Sequence, residues 1–208
     1  DLPELISLAQ KEPETQPACD AFSWIALNAA ANRGPFFTNI LQSLDYLAKY
    51  HSMNPKIGPL CSYLGRFWDW HWREKPVVDF LKSVAENNPD RAIRAQALYA
   101  LGKLDAAKSE DLADFENWGN APFFRKNLAT NDLAELPTFG SSQQAAAKAE
   151  DEFNKVIADY SDCLDLRERS NLKEEAPHLK KLAEENLFAL KNLSLGHKAP
   201  EIKGEGVD

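Results

Sequence analysis

Apolar residues recur at helical spacing along most of the chain. The clearest stripe follows the i, i+3, i+4 and i+7 positions of one helix and consists of Phe37, Ile40, Leu41, Leu44 and Leu47. Similar stripes fill most of the stretches between the proline and glycine residues that end helices. The pattern predicts helices over residues 1–12, 18–31, 37–51, 57–67, 76–87, 89–104 and 141–160, with a restart at 109 and a last helix over 177–195.

Local signals refine several of these elements. Ser141 and Gln144 have the spacing of a capping box, which predicts a helix start at that point. Asn88 is the predicted cap of the following helix, and Pro89 its predicted first residue. The helix over 18–31 is apolar nearly all round, which predicts that it is buried.

Strand signals are almost absent from the sequence. An extended segment begins only at residues 200–202, next to the end of the chain. Residues 163–175 are polar and charged, which is typical of an exposed connector. We therefore predict an all-α fold of stacked antiparallel helix pairs.

Two helices resemble known repeat units. The residues that match a HEAT-type repeat are Pro89, Arg94, Ala97, Leu101 and Gly102. Residues 149–162 resemble the second helix of a tetratricopeptide unit. Each unit occurs once, and no 34-residue period accompanies the second. The resemblance implies HEAT- or tetratricopeptide-type packing of the helix pairs.

Composition and charge narrow the class of protein. With 208 residues and 44% hydrophobic content, the chain can form one domain with a full core or two small ones. Its net charge of −8 repels phosphate backbones, so nucleic acid is not an expected partner. No apolar run approaches the ~20 residues that span a bilayer. The opening Asp1-Leu2-Pro3 has neither an initiator Met nor a basic signal region, as expected of a mature or trimmed chain.

The three cysteines are Cys19, Cys61 and Cys163, which are far apart and form no C-x-x-C pair. This spacing does not indicate a disulfide framework or a zinc site. We expect three buried or unreactive thiols, with a single disulfide as the open alternative. The sequence leaves the oligomeric state open as well.

Three of the five tryptophans, Trp68, Trp70 and Trp72, fall within five residues. They are the predicted binding residues of the chain, since tryptophan is enriched at the energetic centres of protein interfaces. The alternative is an aromatic plug between helices, in which each ring buries roughly 150–250 Å².

Chemistry-bearing motifs are otherwise missing. The sequence contains no glycine-rich phosphate loop, no H-E-x-x-H and no G-x-S-x-G, so we predict no catalytic residue and no cofactor. Asp69, His71 and Glu74 are residue types that bind metals, but a histidine this close to carboxylates is common by chance. We therefore predict no metal site. The histidines are scattered, and solvated side chains are expected for His51, His71, His178 and His197.

The end of the chain carries the most specific pattern. Residues 182–205 form a leucine-rich helix followed by a linker with Gly196, Ala199, Pro200, Glu201, Ile202 and Gly204. This stretch is similar to the junction that leads into the redoxin domain of bacterial thiol–disulfide oxidoreductases of the TlpA-like, peroxiredoxin-like (AhpC/TSA) group. In that family a helical region precedes the linker, and the first strand of a thioredoxin fold follows it.

The resemblance implies a division of the chain and a role. Residues 1–195 would form an all-helical accessory domain, and residues 196–208 a linker with the truncated start of a thioredoxin-like domain. The family's reactive cysteine would lie after Asp208, so no catalytic residue is carried over. The expected function is to position the redoxin domain or to bind a partner protein, outside the cytoplasm. The alternative is a free-standing helical scaffold that binds a protein.

Overall fold

A computed structural model of the chain describes residues 2–28, 37–65, 75–118, 140–167 and 176–193. These residues form eight helices and no named strand, which confirms the predicted all-α class. The helices are α1 (Leu2–Lys11), α2 (Gln16–Asn28), α3 (Phe37–Tyr50), α4 (Gly58–Leu64), α5 (Lys75–Asn87), α6 (Arg91–Trp118), α7 (Ser142–Asp159) and α8 (Leu179–Asn192).

Helix α6, 28 residues long, lies at the centre of the fold. Helices α4 and α5 pack on one of its faces, and α7 and α8 pack on the other. Helices α6 and α7 are antiparallel, because Arg91 at the start of α6 contacts Asp162 beyond the end of α7, while Glu116 near the end of α6 contacts Ser142. Helices α1, α2 and α3 extend the first side through successive contacts with one another and with α5.

Two hydrophobic clusters lie on opposite faces of α6. The larger cluster contains buried residues from all of the first five helices and from one face of α6. The α6 residues recur three or four positions apart and include Ile93, Ala97, Ala100, Leu101 and Leu104. The smaller one joins the other face of α6 to α7 and α8, and its members are Ala95, Tyr99, Ala149, Phe153, Val156, Cys163, Leu179, Ala183 and Leu190. Each fully buried large side chain contributes about 1.5–3 kcal/mol relative to an exposed one.

The start of α7 is the predicted capping box. Ser141 Oγ accepts a hydrogen bond from the backbone N–H of Gln144 at 3.2 Å, and the Gln144 side chain accepts one from the backbone N–H of Ser141. The two bonds satisfy N–H groups that have no partner within the helix. The prediction at Ser141 and Gln144 is confirmed.

The start of α6 differs from the prediction by two residues. Asp90 Oδ1 accepts a hydrogen bond from the backbone N–H of Ala92 at 2.8 Å, so Asp90 caps the helix and Arg91 begins it. Asn88 is buried, and its side chain instead holds the preceding loop by donating to the Ser52 carbonyl at 2.7 Å. The assignment of Asn88 as the cap and Pro89 as the first helical residue is therefore wrong.

The predicted break between residues 104 and 109 is also wrong. Helix α6 runs without interruption from Arg91 to Trp118. Residues 105–108 contain no glycine or proline and include two alanines, which are the best helix formers. Ser109, interpreted as a restart, is a buried residue in the middle of the helix.

The segment 163–167 is partly buried, not an exposed connector: Cys163 and Asp165 are buried, whereas Leu164 is exposed. Asp165 is 4% exposed, and its carboxylate accepts hydrogen bonds from Ser62 Oγ at 2.8 Å and from Arg167 Nε at 2.6 Å. The backbone N–H of Leu166 donates to Gln96 Oε1 at 2.8 Å. The charged side chain of Asp165 therefore makes hydrogen bonds inside the protein. Residues 168–175 lie outside the described ranges.

Helix α2 is only partly enclosed. Phe22 and Ile25 are fully buried, but Trp24 is 53% exposed. The prediction of burial all round is wrong because α2 packs against α1, α3 and α4 and faces solvent on its remaining side. Among the described helices, none combines the length and the apolar composition that crossing a bilayer requires.

Candidate functional site

The predicted binding residues Trp68, Trp70 and Trp72 lie outside the described residues. Asp69, His71 and Glu74, the residues considered as metal ligands, also lie outside them. So does the chain from residue 194 onward, which includes the predicted domain boundary at 195 and the linker. Those assignments stay predictions. Within the described ranges, no three His, Cys, Asp or Glu side chains come together to hold a metal ion.

All three cysteines are free thiols in buried positions. Burial is the main cause that raises the pKa of Cys61, of Cys19 and of Cys163 above the ordinary thiol value. Thiol–disulfide exchange requires the thiolate, which a raised pKa disfavours. The expectation of buried thiols is confirmed, and no disulfide joins them.

Cys163 has an arginine close enough to have activated it. Arg91 Nη1 lies 3.5 Å from Cys163 Sγ, but the same nitrogen donates to Asp162 Oδ1 at 2.7 Å. The guanidinium also stacks over the ring of Tyr160, 5.3 Å from its centroid. Desolvation outweighs the attraction of Arg91, so the pKa of Cys163 stays raised. The arrangement stabilises the join between α6 and α7 and does not create a nucleophile.

The two histidines in the described residues differ from each other. His51 is buried, contrary to the expectation of a solvated side chain, and its Nε2 lies 2.6 Å from the carbonyl oxygen of Pro13. That bond ties the end of α3 to the turn between α1 and α2. His178 is exposed and precedes the first residue of α8, as expected.

The inner face of α8 is held firmly against α6 and α7. Leu179, Ala183 and Leu190 are buried in the smaller cluster. The Asn186 amide donates to Tyr99 Oη at 3.0 Å and accepts from Lys103 Nζ at 3.0 Å. These contacts fix the position of α8, the helix that leads directly into the linker pattern.

Two apolar side chains are exposed near the end of α8. Phe188 is 54% exposed and Leu193, just after the helix, is 62% exposed. The charged residues Glu184 and Lys191 lie within one helical turn of Phe188. A partly apolar surface with a charged rim is the composition of a protein contact surface.

The described part of the chain contains at least two concave surfaces. One is a cavity of about 280 Å³ between α6 and α8, which Lys103, Glu110, Asp111 and Asn186 line with small residues between them. The other is an apolar groove of about 470 Å³ between α1 and α2, with Leu8 64% exposed at its edge. Neither contains the convergent catalytic groups of an enzyme site.

The most unusual electrostatic feature is a pair of buried carboxyl groups between α6 and α7. Asp105 on α6 forms an ion pair with Lys148 on α7, and Glu152 on α7 lies 3.8 Å from the same Lys148 nitrogen. Burial, followed by the neighbouring charge of Asp105, raises the pKa of Glu152 to about 8. Lys148 is therefore the shared counter-charge of two carboxyl groups.

Sequence reasoning missed this pair and found no carboxyl groups in such an environment. Asp105 and Glu152 are 47 positions apart, so no local spacing joins them. One signal was present in α7, where Glu152 follows Ala145 and Ala149 at helical spacing and so interrupts an apolar stripe. A carboxyl group on the buried side of an amphipathic helix indicates either a paired or a protonated side chain.

Comparison of the chain with protein-family models, with curated proteins and with solved structures gives no match.

Proposed function

We propose that this chain is the non-catalytic helical part of a thiol–disulfide oxidoreductase of the redoxin type. Its role is to position a thioredoxin-like domain that follows the linker at residues 196–204. The resemblance of that linker to the family's junction motivates the proposal. Proteins of that family usually act outside the cytoplasm, and we include this location in the proposal.

The observation that carries the proposal is the construction of α8. Its inner face is anchored in the smaller cluster, while Phe188 and Leu193 expose apolar surface beside the linker. A helix that is packed tightly along one face and exposes apolar side chains at its C-terminal end can hold an attached domain in a defined orientation. Contacts between domains of one chain resemble transient protein interfaces and are more polar than permanent ones, so a few apolar side chains among charged residues suit such a contact.

The burial of the cysteines supports a helical part that takes no part in the redox reaction. Buried thiols with a raised pKa are poor nucleophiles, so the redox chemistry belongs to a cysteine beyond residue 208. The helical part then acts by binding and orientation.

The test uses the product of the complete natural gene, read on past Asp208. We expect a cysteine of Cys-x-x-Cys or peroxidatic type in a thioredoxin-like sequence, and dithiol-dependent reduction of a protein disulfide. Residues 1–208 alone should lack that activity. A reading frame that ends at Asp208, or an extension without a reactive cysteine, contradicts the proposal.

Contact through α8 is tested in the same full-length protein. Phe188→Asp and Leu193→Asp should lower the disulfide reductase activity several-fold without changing the helical circular dichroism. Met53→Asp is the matched control, because Met53 is 65% exposed and Leu193 is 62% exposed, but Met53 lies in the turn between α3 and α4. Equal losses in all three variants would exclude a specific role for α8.

The alternative is a free-standing helical scaffold that binds a protein partner. One observation favours it, the apolar groove lined by Leu5, Leu8, Ala9, Ala18 and Ala21 between α1 and α2. A gene product without a redoxin domain would leave this alternative as the better account.

A further inference from the structure

We propose that Asp105 on α6 and Glu152 on α7 hold one proton between them and form a pH-dependent latch across the helix interface. The latch is closed while Glu152 is protonated and is weakened when Glu152 ionises. It concerns the stability of the α6–α7 contact and is independent of the proposed function.

The geometry leaves Glu152 without a counter-charge of its own. Its side chain is 8% exposed, and its Oε2 is a buried oxygen that receives no hydrogen bond from the described part of the chain. Lys148 Nζ contacts Asp105 Oδ2 directly and lies 3.8 Å from Glu152 Oε1. Since Asp105 occupies the lysine, Glu152 is stabilised best in its neutral form.

A proton on Glu152 also satisfies the hydrogen bonding of the pair. Both side chains approach the same Lys148 nitrogen, and hydrogen bonding with Asp105 is one of the causes that raise the pKa of Glu152. Two ionised carboxylates repel because they carry like charges, and neither can donate a hydrogen bond to the other. A protonated Glu152 can donate its O–H to the Asp105 carboxylate, and such a charge-assisted bond is stronger than a neutral one.

Charged groups from several helices surround the pair. On α6 they are Asp105 and Lys108, and burial is the main cause that lowers the pKa of Lys108. On α7 they are Lys148, Asp151 and Lys155. Lys82 of α5 approaches Lys108, and Lys191 of α8 pairs with Glu150 at 2.5 Å, two residues from Glu152 on another side of α7.

The sign of the pH effect follows from the raised pKa of Glu152, about 8 against an ordinary 4.5. Between these two values the folded protein holds a proton that the unfolded chain has lost. Stability therefore falls as pH rises through this window and levels off above about 8. Below about 4.5 both states are protonated and this contribution is fully present.

The position of the pair determines what the latch controls. Asp105 follows Gly102 by one helical turn, and Glu152 is the neighbour of Phe153, which packs on Gly102. Ionisation of Glu152 places a second buried negative charge where the two helices approach closely. The expected result is loosening of α7, together with α8 packed on it, from α6.

The test measures urea unfolding of the whole chain between pH 5.5 and pH 9.5. The unfolding equilibrium constant of the wild type should rise by about tenfold per pH unit relative to that of Glu152→Gln until the pKa of Glu152 is passed, because one proton is released on unfolding. Glu86→Gln, an exposed glutamate on α5, is the matched control and should follow the wild type. Asp105→Asn should move the window to lower pH.

Two further measurements on the wild type keep the proposal testable if Glu152→Gln does not fold. Carboxyl ¹³C NMR should show a Glu152 midpoint well above that of exposed glutamates. Amide hydrogen exchange, corrected for intrinsic rates, should accelerate in α7 with rising pH more than in α3. A Glu152 midpoint in the ordinary glutamate range, or parallel pH profiles of wild type and Glu152→Gln, overturns the proposal.

Discussion

Gly102 on α6 packs directly against the ring of Phe153 on α7. A Cβ atom built at Gly102 would lie 2.7 Å from Phe153 Cε1 and 2.9 Å from Cδ1, closer than real side-chain contacts allow. Phe153 is fully buried, so its ring has no free space into which to move. The glycine therefore permits the close approach of α6 and α7 at this point.

Gly102→Ala should destabilise the protein. Alanine gains about 1 kcal/mol of helix propensity over glycine, whereas overpacking a core costs typically ~1–3 kcal/mol. Because Phe153 is enclosed, we expect the clash to dominate, with a net loss on the order of 1 kcal/mol. Urea unfolding at pH 7 measures the free energy of unfolding.

The Phe153→Leu background provides the control for Gly102→Ala. A smaller side chain removes the atoms that meet the new Cβ, so the same Gly102→Ala change should be neutral or stabilising there. A gain in stability from Gly102→Ala in the wild-type background would show that the ring moves aside.

Asp165→Ala should be strongly destabilising. The carboxylate is buried and accepts hydrogen bonds from Ser62 and Arg167, so its removal leaves the Arg167 guanidinium without its carboxylate. Breaking a buried charged network of this kind costs about 3–5 kcal/mol. Thermal and urea unfolding both measure the loss.

Asp162→Ala is the matched control for Asp165. Asp162 also pairs with an arginine, Arg91 at 2.7 Å, but its side chain is 72% exposed. Water replaces the lost interaction at such a site, so the change should cost far less. Similar losses for the two variants would contradict the distinction between a buried and an exposed pair.

Asn88→Ala should destabilise the junction between α5 and α6. The Asn88 amide donates to the carbonyls of Ser52 and Asn54, at 2.7 and 3.2 Å, and its Oδ1 accepts from the Asp90 N–H at 2.9 Å. Loss of a buried side chain that satisfies several backbone groups costs roughly 2–3 kcal/mol. Asn87→Ala serves as the control, since Asn87 is exposed and should change stability by less than about 0.5 kcal/mol. Equal effects at both positions would rule out a special role for Asn88.

The thiols of Cys19, Cys61 and Cys163 should resist a thiol-reactive probe in the native protein. Each is buried and has a raised pKa, so both access and thiolate formation are suppressed. A colorimetric disulfide probe at pH 7.5 should label three thiols in the unfolded chain, and each native thiol at least about tenfold more slowly. Native labelling at the unfolded rate would contradict the assigned burial.

The helices themselves were largely predictable from the sequence. The stripe through Ile40, Leu44 and Leu47 and the capping box at Ser141 identify α3 and the start of α7, because both signals act within a few residues of one another. The supposed restart at Ser109 failed because a serine beside acidic residues has the same composition in a cap and inside a helix.

The interior polar contacts were not predictable in the same way. Asp165 and Ser62 are 103 positions apart, and the polar segment that contains Asp165 has the composition of a surface loop. Asp105 and Glu152 meet only because α6 and α7 are antiparallel with Gly102 opposite Phe153. Such pairs depend on helix register, which the hydrophobic period leaves undetermined.

Helix α6 supplies buried side chains to both hydrophobic clusters. If the chain is divided on either side of this helix, one cluster loses the side chains that α6 supplies, because the half without α6 exposes the surface that α6 covers. The two clusters should therefore unfold together in one cooperative transition. Each of two pieces cut from the chain would need α6 in order to fold separately. A transplant of α7 and α8 onto another protein has to include α6 as well.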